Sequence, residues 1–283
     1  MIKIVKDLVR ALRPKQWTKN LLVAAAPIAA GQLNLEAKSI VVGLIGFCAA
    51  SSFGYLLNDW RDRKSDFEHP KKKLRPFASG VLDFKSLIVL LLVCNFVIIL
   101  SCIVLPYKFT ITILAYLITT ISYTFVIKSI PVLEMLWLSS GFLIRAIAGS
   151  AIIQKPPTGW FLVTVGFGAL FIVSAKRQGE LKNNYARVTR KVINSYNESF
   201  LNTVLTASLT ITLLTYSLWV FEIHPNSVFA QFTIFSFSLS VFIYAWKCET
   251  SDAESPEILL LSNKMFVFSA MATIFPILIT VYL

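Results

Sequence analysis

The apolar residues of this 283-residue chain come in continuous blocks, most of them long enough to cross a hydrocarbon layer. About 20 helical residues span the roughly 30 Å core of a bilayer. Inside it, every backbone N–H and C=O must be satisfied by the chain itself, which leaves only helices and closed barrels. The blocks are uninterrupted rather than alternating, so they predict helices and not barrel strands. Nine candidate spans follow, at 20–35, 39–59, 84–104, 109–127, 131–153, 158–175, 200–221, 228–247 and 264–283. The first is short and contains Pro27, while 84–104 is the clearest apolar run. At 56% hydrophobic residues the chain lies beyond the usual soluble range. The fold class read from this is an all-α polytopic membrane protein, a single membrane domain over 1–283 with no water-soluble unit.

Charge placement tests that layout. With a cytoplasmic N-terminus, 23 of the 27 Lys and Arg residues fall in inside segments, and only Lys38, Lys108 and Lys155 fall outside. Arg145 lies within a span. Such asymmetry is the positive-inside signal. It places the N-terminus and the loops 60–83 and 176–199 in the cytoplasm of an inner (plasma) membrane protein, and the C-terminus outside. The net charge of +12 is then explained by topology and attraction to anionic lipid. No basic domain stands apart from the membrane, so nucleic acid is not expected as a partner. The first 20 residues are basic and amphipathic, without the apolar core and cleavage site of a signal peptide. The four cysteines lack metal-ligand spacing and read as small core residues. His224 falls in an outer loop and is given no role.

The second span runs into an acidic segment. If its helix continues, Asn58, Asp62 and Asp66 recur every four residues, each step turning about 40° and rising about 6 Å. The three side chains line one stripe, from membrane depth toward the cytoplasm, until Pro70 biases His69 out of the helix. Such oxygen ligands suit Mg²⁺, which takes one or two carboxylates and completes its shell with water and phosphates. A basic stretch follows at once: His69, Pro70, Lys71, Lys72, Lys73, Leu74, Arg75 and Pro76. Acid for a metal and base for phosphate on one segment fits a phosphorylated substrate. Arg75 offers a bidentate contact and the lysines act as point charges. The bland account is a solvated helix end followed by a polybasic patch for lipid.

Arg145 sits midway along an apolar span, between Gly141 and Gly149. A charge there costs at least ~2.5 kcal/mol on insertion scales and normally faces a cavity or a partner. Glu134, eleven residues earlier, has nearly the same helical azimuth but lies too far along the axis to touch it. Both are expected to face one cavity.

The segment from Asn58 to Gly80 reads N-D-x-x-D-x-x-x-D-x-x-H-P-x-K-x-x-R-P-x-A-S-G. It resembles the first aspartate-rich motif of the UbiA superfamily of intramembrane transferases, and within it the decaprenyl-phosphate phosphoribosyltransferase branch. The opening Arg13, Pro14, Lys15, Gln16, Trp17, Thr18, Lys19 and Asn20 is similar to that branch's R-P-x-Q-W-x-K-N start. Tyr123 and Lys128 resemble a further Y-x-x-x-x-K element, with an interfacial aromatic and a topology lysine as the plain alternative. The resemblance implies a nine-helix bundle around a central cavity open to the cytoplasm. Most members using a prenyl diphosphate carry a second D-x-x-x-D after the sixth span. Here that stretch is Ser174, Ala175, Lys176, Arg177, Gln178, Gly179, Glu180 and Leu181. One acid and two cations stand there, as in the K-R-x-x-E-L stretch of the phosphoribosyltransferase branch.

The reaction so implied is transfer of a 5-phosphoribosyl group from phosphoribosyl diphosphate to a polyprenyl (decaprenyl) phosphate, Mg²⁺-dependent and releasing diphosphate. Such a pair of substrates carries more negative charge than a prenyl diphosphate, each phosphomonoester adding roughly −1.5 to −2. The implied site has Asn58, Asp59, Asp62 and Asp66 on the metal, with Asp62 and Asp66 as the catalytic pair. Lys19, Lys72, Lys73, Arg75, Tyr123, Lys128, Arg145, Lys176, Arg177 and Glu180 would bind substrate. Two rivals remain at this point. One is a prenyltransferase using a prenyl diphosphate and an aromatic acceptor, which the missing second D-x-x-x-D disfavours. The other is a transporter or non-catalytic membrane protein, disfavoured because the polar motifs gather on one membrane side.

Overall fold

The computed structural model describes residues 2–70, 72–182, 190–250 and 263–282. Lys71 and residues 183–189 of the second expected cytoplasmic loop lie outside the described residues. The described residues form ten α-helices: α1 (Ile2–Ala11), α2 (Leu22–Ala29), α3 (Ala37–Glu68), α4 (Phe84–Val104), α5 (Tyr107–Phe125), α6 (Leu133–Ile152), α7 (Gly159–Lys182), α8 (Glu198–Ile223), α9 (Val228–Thr250) and α10 (Lys264–Tyr282). Short 3₁₀ segments occur at Pro14–Leu21, Lys72–Leu74, Ile127–Ser129 and Lys191–Ser195.

Eight of these helices, α3 to α10, are long and apolar enough to cross a membrane. The chain is a multi-pass membrane protein. The first expected span differs: α2 has only eight residues, about 12 Å, too short to cross alone. The 3₁₀ segment Pro14–Leu21 leads into it, and at about 2 Å per residue adds roughly 16 Å. Together they approach the thickness of the hydrocarbon core. Pro27 accounts for part of the irregularity. It lacks an N–H, so it leaves the Val23 carbonyl without its i+4 donor. That carbonyl lies against Gly149 of α6, where a Cβ would collide with it and with Pro27. A glycine is needed for α2 to approach α6 this closely, the small-residue packing typical of membrane helices.

From α2 onward consecutive helices pack side by side, α1 lies against α3, α3 also touches α5 and α6, and α10 returns to α2. Near that contact the Leu33 N–H donates to the Tyr282 hydroxyl at 3.0 Å. Phe47, Phe109, Ile113, Tyr116 and Ile152 pack where α3, α5 and α6 meet. Elsewhere helices are joined by hydroxyls, as in Thr164 to Thr215, Tyr216 to Thr233 and Ser240 to Ser269. Exposed Leu92, Phe96, Ile103, Phe232, Phe235 and Phe268 give α4, α9 and α10 a surface suited to lipid. Five helices start on side-chain caps: Asp83 accepts from Ser86 N–H, Thr158 from Phe161 N–H, Asn197 from Phe200 N–H, Ser227 from Ala230 N–H and Asn263 from Phe266 N–H.

Candidate active site

α3 runs without a break to Glu68, and His69 caps it with extended backbone, as Pro70 predicts. The helix therefore carries Asn58, Asp59, Asp62 and Asp66. The loop after it folds back: Trp60 packs edge-on to Phe77 at 5.9 Å and against Phe84 at 5.4 Å. That places Arg75 over the carboxylates. Its Nη1 donates to Asp66 at 2.6 Å and to Asp59 at 3.1 Å. These two aspartates are seven residues apart, two helical turns on nearly one azimuth. Asp59 also receives the Arg13 guanidinium, with Nε at 3.0 Å and a second contact from Nη2. Arg13 itself adopts a left-handed backbone conformation, which turns the chain between α1 and the 3₁₀ segment.

Asp59 was expected as a metal ligand, but it is buried and its oxygens are spent on Arg13 and Arg75. It anchors the two arginines. Asp62 pairs with Lys128, which follows α5 on a 3₁₀ turn. Among the described residues no three His, Cys, Asp or Glu side chains converge on one metal-binding point. What the α3 stripe offers is one amide and two carboxylates, each carboxylate met by a partly exposed cation. That donor set fits Mg²⁺, whose remaining ligands are water and phosphate oxygens.

A second cluster joins α6, α7 and the second loop. Arg177 is 1% exposed and makes a bidentate pair with Glu134, Nε at 2.5 Å and Nη2 at 2.8 Å. Its Nη1 reaches Glu180 at 2.6 Å. Arg190 contacts the Tyr123 hydroxyl, Glu134 at 3.1 Å and Glu180 at 3.6 Å. The Tyr196 hydroxyl accepts from Val132 N–H at 2.9 Å and donates to Glu134 at 3.3 Å. Val132 has φ 65°, unusual for a β-branched residue, and this bond helps hold it. Arg177 was expected to bind phosphate; its guanidinium is instead committed to two glutamates. Lys176, on the same helix, lies in the field of Glu180, Arg177, Lys19 and Arg190. Lys72 lies in the field of Arg75, Asp66, Glu180 and Arg190, so the two loops share one electrostatic region. Burial, with the Arg75 charge next, pushes the Lys72 ammonium pKa down. Lys73 is exposed on the same turn.

Arg145 and Glu134 do not share a cavity network. Arg145 is buried and donates to Asn20 Oδ1, the Gly141 carbonyl and the Tyr116 hydroxyl, each at 2.8 Å. Asn20 in turn donates to Ser51 at 3.1 Å. This charge locks the opening segment to α3, α5 and α6. Trp17 adds a bond to Ser52 at 3.0 Å. Arg13, Asn20, Glu134 and Arg190 were not read as site residues from the sequence. The signal available for the first two was their place in the opening motif.

The model of the UbiA prenyltransferase family matches residues 21–270. The chain belongs to the UbiA family. A decaprenyl-phosphate phosphoribosyltransferase of Corynebacterium glutamicum is 34% identical over 99% of this chain and 88% of its own length. The protein of the same name from Mycolicibacterium smegmatis is 36% identical over 93% and 88%. Among solved structures, a UbiA homolog from Archaeoglobus fulgidus bound to DMAPP and Mg²⁺ superposes with a TM-score of 0.73. That match covers 98% of this chain and 100% of the other at 17% identity, and establishes the UbiA fold.

Proposed function

We propose that this UbiA-family protein transfers a 5-phosphoribosyl group from phosphoribosyl diphosphate to a polyprenyl phosphate, releasing diphosphate. The carrying observation is the near-full-length identity to two proteins named decaprenyl-phosphate phosphoribosyltransferase. The site supports it. Where a second carboxylate motif would serve a second metal, α7 presents Lys176, Arg177 and Glu180, with Arg190 beside them.

An oxygen of the acceptor phosphate forms a bond to ribose C1 as the C1–O bond to diphosphate breaks, and the electron pair leaves with the diphosphate. The acceptor phosphate is already ionised, so no proton must be removed. Asn58, Asp62 and Asp66 would hold Mg²⁺, which when bound supplies charge neutralisation to the leaving diphosphate. Arg75, Lys72, Lys73 and Lys128 would bind phosphate oxygens, with Arg75 and Lys128 changing partner from carboxylate to substrate. Lys19 and Lys176 would add charge from the facing elements, and Glu180 would accept from a ribose hydroxyl. Arg145, Arg177 and Asp59 act as positioning residues. Tyr123 would orient the cation that contacts its hydroxyl. Catalysis on this reading is orientation and electrostatics. The active face is cytoplasmic in the plasma membrane, and the N-terminus is inside and the C-terminus outside.

The test is diphosphate release by purified protein given phosphoribosyl diphosphate, polyprenyl phosphate and Mg²⁺, beside an Asp62→Ala control. Lipid-dependent release lost in the control and on chelation is expected. No release, while a prenyl diphosphate and an aromatic acceptor do react, would overturn the reading.

A further inference from the structure

Two arginines meet the same pair of glutamates, and they are not equivalent. Arg177 is sealed, at 1% exposure, and its three donor contacts satisfy both Glu134 and Glu180. Removing it would leave Glu134, which is fully buried, without its bidentate partner. Arg190 is 26% exposed, and its contacts to Glu134 and Glu180 are the longer ones. It can leave both carboxylates without stranding either, because Arg177 still holds them. Its place immediately before the 3₁₀ segment Lys191–Ser195 puts it on the loop side of the bundle rather than within a span.

Resting on the reading above, we propose that Arg190 binds the ribose 5-phosphate of the donor and so selects a phosphopentosyl diphosphate over a prenyl diphosphate. The donor has two anionic ends. The α3 carboxylates, with a cation ligand, suit the diphosphate end. The region of Arg190, Lys72 and Lys176 is cationic around a glutamate already neutralised by Arg177, and suits a phosphomonoester bound without metal. The acceptor phosphate is tied by its tail to membrane depth, whereas the soluble donor arrives from the loops, where Arg190 sits. Engagement of the 5-phosphate draws Arg190 from Glu180, whose Oε2 stays paired with Arg177. A prenyl diphosphate has no second phosphate and gains nothing there.

The experiment measures ribose 5-phosphate binding by calorimetry in detergent with chelator and no lipid, for wild type, Arg190→Gln, Arg190→Lys and Asp62→Asn. Wild type and Asp62→Asn are expected to bind alike and Arg190→Gln at least about tenfold more weakly, the loss of one charge-assisted hydrogen bond. Arg190→Lys should fall between. In turnover, Arg190→Gln should raise the KM for phosphoribosyl diphosphate by a similar factor, leaving kcat and the KM for polyprenyl phosphate within about threefold. Equal ribose 5-phosphate affinity in Arg190→Gln, no binding by wild type, or a rise in the lipid KM instead would overturn the inference. So would a fall in melting temperature matching that of an Arg177 variant, which would make Arg190 a strut. If wild type binds ribose 5-phosphate through Arg190 yet transfers no phosphoribosyl group, the proposed function fails and the phosphate site stands.

Discussion

The two ion-pair clusters, at the end of α3 and between α6 and α7, use the same residue types and are built for different work. Around the end of α3, the cations Arg13, Arg75 and Lys128 are between 22% and 27% exposed; of their aspartates, Asp59 and Asp66 are buried and Asp62 is 25% exposed. Between α6 and α7, Arg177 and Glu134 are both sealed from water. Exposed pairs are worth about 0–1 kcal/mol and are easily exchanged. Buried pairs are costly to break on one side, because the remaining charge is left unpaired in a low dielectric. The first cluster can therefore open at Asp62–Lys128 at little cost, and at buried Asp66 only where another cation replaces Arg75. The second cannot, and serves as the fixed wall against which the first works. Arg190 stands between the two kinds, attached to the buried cluster but exposed like the open one.

The largest effect expected from this contrast is on stability. Arg177→Ala should cost about 3–5 kcal/mol, as truncating one partner of a buried pair does. The measurement is thermal unfolding in detergent. Arg177→Met combined with Glu134→Gln should recover much of the loss, since no buried charge is then unpaired. A single variant as stable as wild type would erase the distinction between the clusters. Next in size, Asp62→Asn should lower kcat by roughly 10²–10³, the usual cost of removing one group that stabilises developing charge. Its melting temperature should barely move, because Asp62 and Lys128 are each 25% exposed. Equal losses of stability in Asp62→Asn and Arg177→Ala would show that both clusters are structural.

The sequence made the open cluster more legible than the buried one. Asn58, Asp62 and Asp66 lie on a single helix, so helical spacing and Pro70 predict their stripe and its end. The buried cluster depends on contacts between Arg177 and Glu134, 43 residues apart, and Arg190 and Glu134, 56 apart. No periodicity reports such contacts. Rotation about the α6 axis correctly puts Glu134 and Arg145 near one azimuth, yet eleven residues separate them by about 16 Å along it. Each found a partner at its own depth: Glu134 with Arg177, Arg145 with Asn20. The spans were legible from apolar length, except the first, where Pro27 and the tight approach to Gly149 shorten the helix.

The smallest expected effect sharpens the comparison through pH. Lys72 joins the two clusters, sensing Asp66 on one side and Glu180 and Arg190 on the other. Burial, then the charge of Arg75, pushes its pKa below that of a free lysine. Its positive charge is present below the depressed value and lost as pH rises through it. If Lys72 binds donor phosphate, kcat/KM for phosphoribosyl diphosphate should decline at alkaline pH, by roughly tenfold once the ammonium is neutral. The decline in kcat should come at higher pH, because a bound phosphate favours the charged form and raises the pKa again. Lys72→Arg keeps its charge throughout, so its kcat/KM should stay level over the same range. A wild-type profile that is equally level would place Lys72 outside the donor site. A decline that persists in Lys72→Arg would assign the titration to another group and leave the two clusters unconnected by this residue.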